Sequence, residues 1–417
     1  MEITVSTIGA LIALIISIFF IFRKLHPAYS LILGAIIGGL IGGAGLQGTT
    51  NLMIDGAKNI MPAVLRIISA GVLAGVLIES GAAVKISETI VHTIGDKNAL
   101  IALSIATLVL TAVGVFVDVA VITVAPIALS ISAKSNFSKE SILLAMIGGG
   151  KAGNIISPNP NTIAVSENLG VSLTSVIVAG IIPAIIGFVI TCVLSRMLID
   201  KGSKTTSSEG EDKDGSLPSF FSAIIGPLTT IFLLALRPIM NIAIDPLIAL
   251  PFGAIVGAIF MGKTSELKSY AARGLEKMSS VAVLLIGTGA LAGIIANSEL
   301  KNTIINMVDM LGFPTFLLAP IAGILMSGAT ASTTSGATVA SSVFGPTLVN
   351  LGVKPLNAAA MIHSGATVLD HLPHGSFFHA TAGSVFMDTK ERFNLIVYES
   401  IIGLTMTIVS TIIYGIL

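Results

Sequence analysis

The stretch GGGKAGNIISPNPNTIAVS, Gly148 to Ser166, interrupts a long hydrophobic region with a glycine triplet, two prolines, three asparagines and a lysine. Gly and Pro each weaken a helix, so this composition predicts a helix that unwinds inside the hydrophobic zone. Irregular backbone at membrane depth persists only where it is buried in protein or lines a wet cavity. Unwinding frees amides and carbonyls, and the Asn, Ser and Thr side chains add further donors and acceptors. Together they supply what is needed to replace the hydration shell of a small polar solute. Lys151 is the one charge in the stretch, and a lysine at membrane depth marks a candidate functional site.

The rest of the composition places this stretch in a bilayer. Hydrophobic residues make up 53% of the 417 and charged residues only 11%, with a mean hydropathy of +0.97. Soluble domains carry about 25% charged residues, so the chain lacks the charge to cover a water-facing surface of its size. The 22 basic and 22 acidic residues cancel, which gives no reason to expect a nucleic acid partner. The single cysteine, Cys192, lies in an apolar run and reads as an inert packed thiol. The first apolar run, Ile3 to Phe22, is followed by Arg23-Lys24. It reads as a retained span with its C-terminal end in the cytoplasm, and the expected location is the inner, cytoplasmic cell membrane. At ~20 residues per crossing, the apolar stretches predict an all-α polytopic membrane protein with roughly ten to fourteen transmembrane segments, some of them half-crossings.

The chain divides near its midpoint. Residues 200–218 are rich in charge, Ser and Gly and read as a hydrophilic linker between a first transmembrane repeat, 1–199, and a second, 219–417. The halves resemble each other. Ala145-Met146-Ile147 leads to Pro158 as Ala360-Met361-Ile362 leads to Pro373, at one constant offset. Upstream of each lies a polar-interrupted stretch ending in Pro126 and Pro346 respectively. Broken hydrophobic segments at matching places in two repeats point to a transporter's binding site.

Three further segments carry chemistry. SGATASTTSGATVASS, Ser327 to Ser342, is small and hydroxylic; it reads either as a close-packing helix interface or as a polar hairpin lining a cavity. HSGATVLDHLPHGSFFHATAG, His363 to Gly383, gathers His363, His371, His374 and His379 with Asp370. No metal is expected, because HExxH spacing is absent and Cys192 is remote; Asp and His in a membrane interior more often relay protons or bind substrate. Asp118 stands among apolar neighbours in VFVDVAVITVAP, where a carboxylate must be protonated, paired or solvated in a cavity.

The chain resembles the gluconate permease family of the ion transporter superfamily. The likeness runs through GVLIESGAA (Gly75 to Ala83), VFVDVAVITVAPIALSI (Val115 to Ile131), SPNPNTIAVSENLG (Ser157 to Gly170), SGATVAS (Ser335 to Ser341) and LDHLPHGSFF (Leu369 to Phe378). The resemblance implies cation-coupled uptake of gluconate-like sugar acids, usually with protons. It also implies two inverted-topology repeats, each with a re-entrant hairpin and a broken helix. Asp118 matches the family's acidic position and His371 its histidine in the second half. Asn159, Asn161, Pro373 and His374 depart from the usual family residues, which leaves another hydroxy-carboxylate, a di- or tricarboxylate such as citrate, or Na⁺ in place of H⁺ as alternatives.

The expected protein is therefore a symporter of a small organic anion working by alternating access, with no cofactor and H⁺, or else Na⁺, as coupling ion. Lys151 is expected to balance substrate charge, with Asn154, Ser157, Asn159, Asn161 and Thr162 binding polar groups. Ser332, Thr333, Thr334, Ser335, His371 and His374 are expected to complete the site from the second half. Asp118, Asp370 and His363 are the expected ion-coupling residues. Expected partners are a small carboxylate, the lipid bilayer and a second copy of the chain. The remote rival is an intramembrane enzyme built on the His363–His379 cluster.

Overall fold

In the computed structural model the described residues are 4–23, 25–95, 98–204, 217–240, 242–300, 303, 314–373 and 375–417, and helices dominate them. The first half runs α1 (Thr7–Phe22), α2 (Pro27–Ile41), α3 (Gly45–Asn59), α4 (Met61–Glu79), α5 (Ala82–Ile94), α6 (Ala99–Ala112), α7 (Val117–Ser135), α8 (Lys139–Asn154), α9 (Pro160–Asn168) and α10 (Leu173–Met197). The second runs α11 (Phe220–Met240), α12 (Pro246–Phe260), α13 (Leu267–Ala296), α14 (Leu318–Thr330), α15 (Thr333–Asn350), α16 (Pro355–Gly365), α17 (Ser376–Ser384) and α18 (Thr389–Thr411).

Helix starts follow local chemistry. Ser6, Ser138, Ser172 and Ser332 cap α1, α8, α10 and α15, each hydroxyl accepting a backbone N–H of the first turn. Pro27, Pro160, Pro246 and Pro355 stand where a helix loses nothing to a missing N–H. Among the described residues, α4, α10, α13 and the run Thr389–Ile416 are long and apolar enough to cross a membrane alone. Others are shorter: the 15 residues of α2 rise about 22 Å, less than the ~30 Å hydrocarbon core. Apolar side chains on α10, among them Ile182, Ile185, Val189 and Val193, are exposed and form a lipid-facing stripe.

The broken segments recur as a pair. Helices α6 and α7 join through residues 113–116, where Gly114 has φ 106°; α14 and α15 join at Ala331, with φ 47°, and Ser332. The α8–α9 break at 155–159 has its counterpart between α16 and α17. Packing is reciprocal: α7 lies against α17 as α15 lies against α9, and α10 meets α16 as α18 meets α8. Such exchange is what a twofold relation between repeats produces. The sequence halves do not sort into separate bodies. Helices α6 to α10 pack with α14 to α18, while α1 to α4 pack with α11 to α13.

One expectation is corrected here. The glycine triplet does not unwind the chain, because α8 stays helical through Gly148, Gly149, Gly150 and Lys151 to Asn154, with every residue buried. The glycines instead remove bulk. A Cβ on Gly149 would stand 2.1 Å from the Ser104 carbonyl oxygen, and one on Gly153 would stand 2.2 Å from that of Leu108. Helix α6 therefore approaches α8 backbone to backbone, in the manner of small-residue membrane interfaces. The unwinding is confined to the residues from Ile155 to Asn159.

Candidate functional site

A cavity of about 610 Å³ opens where these breaks meet. Five helices begin at its wall. His26 and Pro27 start α2, Phe116 to Val119 start α7, and Asn161 lies in the first turn of α9. Ser332 to Ser335 start α15 and Gly375 to Phe377 start α17. The first N–H groups of a helix have no intrahelical partner, and the dipole places about half a positive charge at that end. Helix α13 adds Lys277 and Ser280 to the wall, and the C-terminal ends of α8 and α14 add Asn154 and Thr330.

The wall is braced by side-chain bonds, of which Thr334–Asn161 joins the two repeats. Thr333 Oγ1 donates to Asp370 Oδ2 at 2.6 Å, and Thr334 Oγ1 to Asn161 Oδ1 at 2.5 Å. Asn159 caps α9: its Oδ1 accepts from the Thr162 N–H and hydroxyl, each at 3.1 Å, while its Nδ2 donates to the Asn154 carbonyl at 2.7 Å. Asp118, in the first turn of α7, accepts the Val119 N–H at 2.9 Å and lies close enough to Lys277 to interact electrostatically. The converging helix starts add a positive field to the cavity.

Of the residues expected from the sequence, Asp118, Asn154, Asn161, Ser332, Thr333, Thr334, Ser335 and Asp370 line this cavity. Asn159 and Thr162 are buried behind it and hold its shape. Lys151 is placed differently from expectation. It is fully buried on α8 rather than open to the cavity; its ammonium donates to the Thr367 carbonyl at 2.7 Å and Asp370 Oδ1 at 2.5 Å, and lies 2.9 Å from His371 Nδ1. All three of these polar neighbours of the ammonium lie within the protein. His371 is also fully buried, behind Asp370. Ser157 and His363 are buried away from the cavity wall, with Ser157 Oγ and His363 Nε2 lacking a hydrogen-bond partner among the described residues. His374 lies outside the described residues. Of the other histidines in this stretch, His363 and His371 are buried, whereas His379 Nε2 bonds to the Pro373 carbonyl at the surface.

Sequence reading missed His26, Lys277, Ser280 and Ser376. Lys277 precedes the apolar run from Ser279 and looks like the polar edge of a span. It belongs instead to the unbroken 30-residue α13. The Ser279-Ser280 pair carrying helical periodicity across that edge was the available signal.

Packed helices broken in matching places around one cavity fit a membrane carrier rather than an enzyme. The chain belongs to the GntP family permeases, whose family profile matches residues 1–417. It is 61% identical over 414 residues to an uncharacterized transporter of Haemophilus influenzae, covering 99% of each chain. It is 24% identical to the D-serine transporter of Escherichia coli, covering 82% of this chain and 83% of that one. It is 21% identical to the high-affinity gluconate transporter of Escherichia coli K12, over 93% and 94% of the two chains. A crystal structure of the Alcanivorax borkumensis YdaH transporter shares the fold, with a TM-score of 0.68 at 15% identity over 90% of this chain and 89% of that one. The protein is thus a GntP family permease, and the reading of the His363–His379 cluster as an enzyme centre falls.

Proposed function

We propose that this permease is a proton-coupled symporter of a small hydroxy-carboxylate, gluconate or a related sugar acid, working by alternating access in the cytoplasmic membrane. The observation that carries this reading is the convergence of helix starts on one cavity, with Lys277 in its wall. Backbone N–H groups and aligned dipoles form an anion site without a dedicated arginine. The hydroxyl and amide groups of Ser332 to Ser335, Asn154, Asn161, Ser280 and Ser376 match a polyol chain, which presents alternating donors and acceptors. Alternating access then moves the body containing α6 to α10 and α14 to α18 relative to α1 to α4 and α11 to α13.

A zwitterionic amino acid is the second reading, favoured by the Asp118 carboxylate, which would meet an ammonium group. The test is uptake of labelled D-gluconate, D-serine and citrate into proteoliposomes under imposed pH, Na⁺ or voltage gradients. Saturable gluconate uptake that collapses when the pH gradient is dissipated supports the proposal. Uptake driven only by Na⁺, or restricted to citrate or D-serine, replaces the ion or the cargo. Non-saturating flux would remove the carrier mechanism.

A further inference from the structure

Behind the cavity lies a chain of buried charge that anion binding alone does not use. Lys151 on α8 pairs with Asp370, and Arg392 on α18 pairs with both oxygens of Glu399 and stacks over the Phe378 ring at 4.8 Å. His371 sits between these pairs. Its Nδ1 lies 2.9 Å from Lys151 Nζ, 3.0 Å from Asp370 Oδ1 and 3.8 Å from Glu399 Oε2. Its Nε2 lies 3.0 Å from the Ile396 carbonyl and 3.2 Å from Ser400 Oγ. Lys151, His371, Arg392 and Glu399 are fully buried, and Asp370 nearly so. Helix α17 contributes Phe378 and the Thr381 hydroxyl to this cluster. Among the described residues, the ion-pair contacts of His371 are those to Asp370 and Glu399.

We propose that His371 is the seat of the coupling proton, and that its charge is matched by the substrate anion in the adjoining cavity. This inference rests on the proton-symport reading given above. In the resting state of this scheme the ring carries its hydrogen on Nε2, facing the Ile396 carbonyl, and Nδ1 accepts from Lys151, while Asp370 Oδ1, 3.0 Å from Nδ1, is the acceptor that serves once Nδ1 is protonated. In that state Lys151 cancels Asp370, Arg392 cancels Glu399, and the buried cluster is neutral. Adding a proton to Nδ1 breaks the Lys151–Nδ1 bond and forms an Nδ1–H bond to Asp370 Oδ1, while Lys151 keeps the Thr367 carbonyl and Asp370. The cluster then holds one uncompensated positive charge where water cannot screen it.

Asp370 is the cluster member that lines the cavity. It is therefore both the entry for the proton and the point where an anion's field reaches the ring. An anion in the cavity offsets the added charge, so anion binding favours the protonated ring and protonation favours anion binding by the same factor. A monovalent anion and one proton then move together without net charge. Asp118, by contrast, faces the cavity opposite Lys277, where it can exchange protons with cavity water directly.

The test is calorimetry of D-gluconate binding in buffers of different ionisation enthalpy, with wild type, His371→Gln and His371→Asn. Wild type is expected to take up about one proton per anion, with affinity weakening up to tenfold per pH unit as pH rises. Both variants are expected to bind gluconate with no proton uptake and a flat pH profile. Gluconate binding by wild type without proton uptake would overturn the inference while leaving an anion carrier. Proton uptake that persists in the variants would also overturn it, and would move the proton to Asp118. Absence of binding to wild type by any sugar acid would instead overturn the proposed function itself. If neither variant folds, ¹⁵N-histidine NMR of wild type at fixed pH decides. One imidazole should change from neutral to protonated when gluconate is added, and an unchanged set of imidazoles would refute the proposal.

Discussion

Replacing Lys151 separates two accounts of this lysine, as a substrate ligand or as the buried counter-ion of Asp370, with which it pairs at 2.5 Å. In Lys151→Met, three buried atoms lose their ammonium neighbour: the Thr367 carbonyl oxygen, Asp370 Oδ1 and His371 Nδ1. Asp370 loses its permanent counter-ion, with only the His371 ring left beside it at 3.0 Å among the described ion-pair partners, and breaking one side of a buried pair costs about 3–5 kcal/mol. Removing both charges in Lys151→Met with Asp370→Asn leaves no carboxylate without its counter-ion, and such neutral replacements of buried pairs are often close to neutral in stability. The double variant should therefore be more stable than Lys151→Met alone, with a coupling energy of about 2 kcal/mol or more between the two sites. Thermal unfolding in detergent for wild type, both single variants and the double variant measures this. Additive losses, with the double variant the least stable of the four, would refute the buried-pair account. Lys151→Met with wild-type stability and abolished gluconate binding would return Lys151 to the substrate.

Other consequences follow from the same geometry. Lys277→Gln should weaken gluconate binding about 10- to 100-fold, the ~1.5–3 kcal/mol of a hydrogen bond to a charged group, while the unfolding midpoint stays put; calorimetry and thermal unfolding check both halves. Gly149→Ala should destabilise the protein by about 1–3 kcal/mol or block its folding, because the added methyl would stand 2.1 Å from the Ser104 carbonyl oxygen; yield and unfolding midpoint equal to wild type would contradict the close α6–α8 approach. Arg66 on α4 pairs with Glu167 on α9 and with Asp245, the cap of α12, and so ties the two packed bodies together. Arg66→Met should change the rate of gluconate exchange in proteoliposomes at an unchanged Kd, and a rate equal to wild type would deny the contact any role in movement.

Much of this was legible in the residues, for identifiable reasons. Breaker residues report backbone directly: Pro158 and Pro373 fall in the breaks that follow α8 and α16, and their constant offset from Ala145-Met146-Ile147 and Ala360-Met361-Ile362 pointed to the repeat. Asp118, Asn161 and Ser332 to Ser335 were found because polar groups amid apolar runs need a wet wall or a partner. Composition could not distinguish those two fates, and Lys151 is the case in point. Its partners Thr367, Asp370 and His371 lie more than two hundred positions away in sequence, so its pairing is a tertiary fact. The glycine triplet was misread for a related reason, since glycine serves both unwinding and close packing and only the neighbouring Ser104 carbonyl decides between them. Arg392 and Glu399 were overlooked because, seven residues apart on α18, they look like the charged edge of a span. Lys277 was overlooked because helix length, not hydropathy, places it beside the cavity.

The central claim is that an anion is held by converging helix starts. Electron cryo-microscopy of the protein with D-gluconate tests it most directly. The predicted result is density in the 610 Å³ cavity, with the carboxylate within hydrogen-bond reach of the first amides of α15 at Thr333 and Thr334, and the polyol chain running toward Asn154 and Ser280. Density for gluconate in the smaller cavity of about 160 Å³ lined by Arg66, Glu167 and Asp245, or at any place where no helix begins, would contradict it.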